Sequence, residues 1–334
     1  MTVSTREVEN QPGLLTSLVE KVLDLVSTIS IKDFVYPVLG IVIFIFLWSV
    51  AASRINTSLG QFPGPSEVVG QSKVLVQEYF DEQTKEQAFD ERQAKRNAAK
   101  LAKNPDAKIK VRKYTGKETF LDQIVTSLKT VLFGFLVASV IAIPLGIACG
   151  LSDPVYKAMN PLIQIFKPVS PLAWLPLITM VVSALYVSDD PWFEKSFINS
   201  GLTVALCCLW PTLINTAVGV ANVDKDLLNV SRVIQLPRLT HIRKIILPAS
   251  VPMVFTGLRL SLATGWMVLI AAEMLSQNPG LGKFVWDEFQ NGSSNSLSRI
   301  MVAVIVIGLI GFALDRIILS VQRFASWDKQ AVLR

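Results

Sequence analysis

Apolar residues gather along this chain in six long runs, at about 34–53, 121–150, 162–187, 198–220, 249–275 and 300–321. Each is long enough to cross a hydrocarbon core as a helix of about 20 residues. The second run places Ala142, Gly146 and Gly150 four residues apart. Small side chains at that spacing either let a neighbouring helix approach closely or are the ordinary glycine content of a membrane helix. The third run is crowded with Pro161, Pro168, Pro171 and Pro176. Prolines leave carbonyls without amide partners, so this backbone is expected against protein or beside a pathway rather than in lipid.

The polar segments have patterns of their own. Leu14, Leu15, Leu18, Val19, Val22, Leu23 and Val26 recur at three- and four-residue steps, opposite Glu20, Lys21 and Asp24. That predicts an amphipathic helix lying on the membrane surface within a cytosolic segment 1–33. A secretory signal ending at Val50-Ala51-Ala52 is the rival for run 34–53, and the long, acid-containing leader argues against it. Residues 67–103 are almost all helix formers, with Asp81/Lys85 and Glu91/Lys95 at pairing distance on one face. Lys108-Ile-Lys-Val-Arg112 alternates like a short strand. Between the fourth and fifth runs, segment 222–247 predicts two short helices separated by Leu236-Pro237. The first carries an apolar ridge through Leu227, Leu228, Val230, Ser231 and Ile234. Such a helix lies on a membrane surface or docks into a partner's groove.

Composition supports the apolar runs: 51% of residues are hydrophobic, 17% charged, and the mean hydropathy is +0.45. This is a membrane composition. The net charge of +6 sits largely in loops beside lipid, so it does not point to nucleic acid. Cys149, Cys207 and Cys208 fall inside apolar runs without metal-ligand spacing and read as small buried residues. His241, the sole histidine, lies in segment 222–247, where a solvated or partner-contacting role fits better than catalysis.

Lys225, Arg232, Arg238, Arg243 and Lys244 lie in 222–247, and Arg316, Arg323, Lys329 and Arg334 at or after the last run. Loop 188–197 has only Lys195 against Asp189, Asp190 and Glu194. Short-loop bias places 222–247 and the tail 323–334 in the cytosol; six spans then put the N-terminus there and 54–120 outside. Residues 54–118 hold 13 Lys/Arg and 9 Asp/Glu, which long external loops tolerate. The insert reads as a solvated flap, a docking platform, or a basic rim that concentrates anions. The chain carries no phosphate-binding Gly-x-x-x-x-Gly-Lys-Ser/Thr, no His-Glu-x-x-His and no nucleophile elbow. ATP-driven work would therefore use another polypeptide.

Segment 222–247 also resembles the cytoplasmic loop of ABC importer permeases, a Glu-Ala-Ala triplet, a glycine four residues later and a terminal Ile-x-Leu-Pro. Asn229-Val230-Ser231 stands for the triplet, Gln235 for the glycine, and Ile245, Leu247 and Pro248 for the last element. The flanks are similar to the nitrate/sulfonate/taurine/bicarbonate branch: Lys167-Pro-Val-Ser-Pro-Leu-Ala-Trp-Leu-Pro176, Pro248 to Arg259, Gly265-Trp266 and Ala271-Ala-Glu-Met-Leu275. Asn215-Thr-Ala-Val-Gly219, Phe284-Val-Trp-Asp287 and Leu314-Asp-Arg316 look most like its nitrate-type members.

The resemblance implies an all-α membrane protein with the six transmembrane helices of the type I ABC importer permease fold, extended by the N-terminal amphipathic helix and the external helical insert. Its core would be 121–322. It would sit in the inner (plasma) membrane of a bacterium as a homodimer, with two ABC ATPase subunits holding ATP and Mg and an external substrate-binding protein. Asp226, Leu227, Leu228, Asn229, Val230, Ser231, Arg232, Ile234, Gln235 and Pro237 would couple to the ATPases, and the cargo would be a small oxyanion, nitrate before bicarbonate, sulfonate or taurine. Trp174, Arg259, Trp266 and Glu273 are the pathway or gate candidates. Glu273 also supports a rival class, a membrane-embedded enzyme, because a carboxylate in mid-span is costly. It more plausibly pairs with a cation such as Arg259 or helps a gate. A passive channel is the third class, but it would not need a docking loop.

Overall fold

The computed structural model describes residues 31–57, 60–104, 109, 111–187 and 192–325. The amphipathic segment expected at 14–26 and the tail beyond 325 lie outside them. The chain divides into a unit ending at Ser66 and a larger one from Glu67 onward.

The first unit holds α1 (Ile31–Arg54) and a two-stranded hairpin, β1 (Asn56–Thr57) with β2 (Gly60–Gln61). Gly60 stands in it at φ +117°, a conformation that residues with side chains rarely adopt. The Trp48 indole N–H reaches the Pro63 carbonyl at 3.1 Å, folding the hairpin onto the end of α1.

The insert begins with α2 (Pro65–Lys103), as the run of helix formers predicts. Its pairing differs in one place. Lys85 meets Glu82 at 3.0 Å instead of Asp81, whose carboxylate takes the Gln77 amide at 2.9 Å. Glu91 and Lys95 do pair, at 3.9 Å. The strand expected at 108–112 does not form at 109, 111 or 112; positions 108 and 110 lie outside the described residues. No partner strand runs beside this stretch among the described residues, and α2 side chains take its backbone groups. Gln93 accepts the Arg112 N–H at 2.6 Å and donates to its carbonyl at 3.1 Å. Glu82 accepts the Tyr114 hydroxyl at 2.8 Å and the Lys117 N–H at 3.1 Å.

The remaining helices are α3 (Phe120–Leu151), α4 (Asp153–Phe166), α5 (Pro171–Leu185), α6 (Lys195–Ala221), α7 (Lys225–Val233), α8 (Arg238–His241), α9 (Leu247–Ser276), α10 (Leu281–Asn291) and α11 (Ser296–Ala325). A π-helical turn, Ile242–Ile246, joins α8 to α9. Among the described residues five helices are long and apolar enough to cross a membrane, or six if α4 and α5 count as one broken span. The single helix expected at 162–187 is therefore corrected. It is two helices bent by 100°, because Pro168 and Pro171 remove amide donors where a straight helix would need them.

Helix α6 is the middle of the bundle, sandwiched by α3 and α9. On α3, Gly134 faces Gly201 and Val204, Gly146 faces Leu213 and Thr216, and Gly150 faces Ala217 and Val220. A Cβ at any of them would strike α6 backbone or side chains, so the small-residue spacing is a packing device. On the other side Thr212 and Ser261 hydroxyls bond at 2.6 Å, and the Cys208 thiol donates to the Ser261 carbonyl at 3.1 Å. Cys149 and Cys208 are buried thiols and Cys207 is half-buried.

Candidate functional site

The loop helix α7 is built to project. Asp224 caps it, accepting the Asp226 N–H at 2.9 Å, and Arg232 sits in its last turn, where a cation suits the helix dipole. It closes with a Schellman motif: Gln235 N–H reaches the Arg232 carbonyl at 3.1 Å and Leu236 N–H the Ser231 carbonyl at 3.2 Å. This requires a left-handed residue, and Gln235 supplies it at φ +49°. Gln235 is the residue aligned with the family's glycine, so the structure gives the physical reason for glycine there.

The ridge expected through Leu227, Leu228, Val230, Ser231 and Ile234 is corrected, because it splits between two faces. Leu228 packs inward on Val220, Val223 and Ile246, and Ser231, 4% exposed, bonds to His241 Nδ1 at 2.5 Å. Those contacts fasten α7 to the bundle. Leu227, Val230, Val233 and Ile234 face outward, with Leu239 beyond them. Asp226, Asn229, Arg232, Gln235 and Pro237 are exposed beside them. Exposed apolar residues ringed by charge mark an interaction surface.

Beside the α4–α5 bend, a half-open cleft of about 420 Å³ lies between α5, α6 and α9. Trp174 lines it with Lys167, Trp210, Asn215 and Thr264. The Phe166 ring lies 6.3 Å from Trp210, nearly parallel, and 5.8 Å from Trp174. Of the four pathway candidates only Trp174 faces this space. Trp266 is 5% exposed and ties α9 to α11 through its N–H and the Ile307 carbonyl, at 3.0 Å.

The expected pairing of Glu273 with Arg259 is also corrected. Arg259 grips Asp315 on α11 with two bonds, at 2.9 and 3.1 Å. Glu273, fully buried, instead accepts the Ser127 hydroxyl at 2.8 Å and the Gly282 N–H at 2.9 Å, with Asn278 at 3.5 Å. Ser127 in turn accepts the Leu281 N–H at 2.8 Å. The cap position of α10 is Gly280, which has no side chain to offer. Glu273 and Ser127 thus cap α10 from neighbouring helices, and a Cβ at Gly280 would collide with the carboxylate. A carboxylate at a helix N-terminus is held by amides and dipole without a cation. This arrangement leaves the enzyme reading without its residue.

Several residues missed in the sequence emerge here. Arg299 on α11 bonds Glu78 of the insert at 2.7 and 3.0 Å. Its Nε lies 2.6 Å from Glu288 of α10 as an ion pair rather than an aligned hydrogen bond. Glu288 also accepts the Ser296 hydroxyl at 3.0 Å. No periodicity could link Glu78 to Arg299 across that distance in sequence. Lys167 was visible, as the first residue of the Lys-Pro-Val-Ser-Pro stretch.

Residues 142–324 match the family of the binding-protein-dependent transport system inner membrane component. The chain belongs to this family. It is 32% identical over 300 residues to the nitrate import permease protein NrtB of Synechococcus elongatus, covering 89% of this chain and 91% of that one. NrtB of Leptolyngbya laminosa is 38% identical over 196 residues, covering 59% and 65%. The bicarbonate transport system permease protein CmpB of Synechococcus elongatus is 36% identical over 203 residues, covering 60% and 68%. A solved inward-facing structure of the MetNI methionine ABC transporter shares the fold, with TM-score 0.50 at 16% identity, covering 60% of this chain and 95% of that one. The protein is thus an ABC importer permease of type I architecture, an inner-membrane, multi-pass subunit.

Proposed function

We propose that this permease moves a small oxyanion, nitrate first, into the cytosol, driven by two ABC ATPase subunits that bind ATP and Mg. The near full-length likeness to NrtB carries the cargo assignment. CmpB is similar over the shorter core, so bicarbonate is the second reading. A second copy of the chain completes the pathway, and an external binding protein delivers the ion.

The outward face of α7 docks into the ATPases in this reading, with Leu227, Val230 and Ile234 as anchors and Asp226, Asn229, Arg232, Gln235 and Pro237 around them. ATPase closure then moves α7 as a lever on the bundle through Leu228 and Ser231. Loop charges put α7 and both termini in the cytosol and 54–120 outside. The insert there serves as a docking platform for the binding protein; its attachment through Glu78 to Arg299 supports this.

The test is uptake by the complex in proteoliposomes supplied with its binding protein. Labelled nitrate should accumulate with ATP, ahead of bicarbonate, alkanesulfonates and taurine. Taurine uptake without nitrate uptake overturns the assignment.

A further inference from the structure

The cleft at the α4–α5 bend is lined by aromatic and apolar side chains around one lysine, Lys167. We propose that it is the station where the cargo sits without its water, and that it accepts a planar, singly charged oxyanion. This deepens the oxyanion-import reading and rests on it.

Four observations carry the proposal. The cleft lies near the middle of α6 and α9, whose lining residues run from Cys207 to Asn215 and from Leu260 to Val268. Lys167 is the single charged residue of the lining, and it forms no ion pair among the described residues. The lining includes no carboxylate that would repel an anion or claim that lysine. The remaining donors are sparse. Asn215 gives one amide hydrogen to the Pro211 carbonyl at 2.8 Å and keeps the other. Trp266 and Trp48 spend their indole N–H groups on backbone carbonyls, whereas those of Trp174 and Trp210 meet no acceptor among the described residues. The Thr264 hydroxyl donates to the Leu260 carbonyl at 2.7 Å and is not available. Ser170 accepts the Leu172 N–H at 3.3 Å, so the first turn of α5 is satisfied locally and charge recognition falls to Lys167.

One cation, two indole N–H groups, one amide N–H and aromatic walls compensate one diffuse negative charge. A doubly charged oxyanion would leave a charge unpaired against apolar walls. An aminosulfonate would bring an ammonium to a lining without a carboxylate. A planar monoanion fits between ring edges, the electropositive part of an aromatic side chain. Lys167 is therefore the specificity-determining residue, and Trp174 and Trp210 form the walls.

The experiment uses the whole complex in proteoliposomes, with labelled nitrate and sulfate as probes and binding protein at saturation. Lys167→Met should cut nitrate uptake at least about tenfold, as expected for losing a countercharge in an apolar site. Lys167→Arg should restore most of it, and Trp174→Leu should raise nitrate KM. Lys157→Met, at an exposed lysine on α4 paired with Asp153, is the control and should match the unmodified complex. Size-exclusion chromatography confirms that each variant assembles. Uptake and KM unchanged in Lys167→Met and Trp174→Leu would overturn the site while leaving the import reading intact, as expected if lipid or the second copy fills the cleft. An unmodified complex that moves no oxyanion would overturn both. Loss in Lys167→Met with rescue by arginine supports the site.

Discussion

Arg299 of the last spanning helix holds Glu78 of the insert by two parallel hydrogen bonds, at 2.7 and 3.0 Å, while its Nε faces Glu288. A guanidinium is the one side chain that can serve two carboxylates at fixed angles. Its plane also lies over the Phe284 ring, 5.7 Å from the centroid. The insert is therefore held to the α10–α11 corner rather than left as a loose flap.

Removing that guanidinium should loosen the insert. Arg299→Ala removes the guanidinium that bonds Glu78 and pairs with Glu288, at a cost of about 1–3 kcal/mol. Limited proteolysis within 65–103 should accelerate in the folded protein. Cleavage at the unmodified rate would mean that the ion pair adds nothing.

The same attachment should weaken in acid. The bond from Arg299 holds the Glu78 carboxyl below its ordinary value of 4.5. A carboxyl depressed by folding stabilises above its unfolded pKa, and that contribution is lost as pH falls through the folded value. Proteolysis of the insert should therefore rise below about pH 4.5 in the unmodified protein but respond less to pH in Glu78→Gln. Glu118 works oppositely: burial, then the charge of Glu194, raises its pKa. Its contribution is lost as pH rises, so Glu118→Gln should protect the insert at neutral pH.

The two faces of α7 should separate in mutagenesis. Val230→Asp or Ile234→Asp should abolish copurification of the ATPase subunits and leave the melting temperature of the permease unchanged. Leu228→Ala should instead destabilise the loop by about 1–3 kcal/mol, because it empties a contact with Val220, Val223 and Ile246. Equal effects of both kinds of variant on assembly and stability would contradict the division.

Gln235 should be improvable. A non-glycine residue in the left-handed region costs about 1 kcal/mol, so Gln235→Gly should raise the stability of the α7 terminus by somewhat less than that. Hydrogen exchange at Leu236, whose N–H closes the motif on Ser231, would slow. Gln235→Ala should give no gain.

The spans and the loop helix were legible because each depends on neighbours in sequence. About 20 apolar residues in a row cross lipid whatever surrounds them, and Asp224, Gln235 and Pro237 punctuate α7 by local backbone rules. The small-residue spacing at Ala142, Gly146 and Gly150 allowed either a close helix contact or ordinary glycine content, and the packing of Gly146 and Gly150 on α6 decided for contact. Prolines at 168 and 171 marked irregular backbone, but their sequence could not distinguish a kinked span from a 100° bend. The missing amides account for the break, and the bent pair as it stands packs on α6 and α9.

The partners of charged residues were decided entirely by tertiary structure. Glu273 and Arg259 are fourteen residues apart on one helix, and the sequence offered them as a pair. The fold instead gave Arg259 to Asp315 and Glu273 to the open end of α10. Glu78 and Arg299, 221 residues apart, meet only because α2 returns to the α10–α11 corner. Helical periodicity follows from backbone geometry and is written locally, whereas a buried charge takes whatever partner the assembled bundle brings within 3 Å.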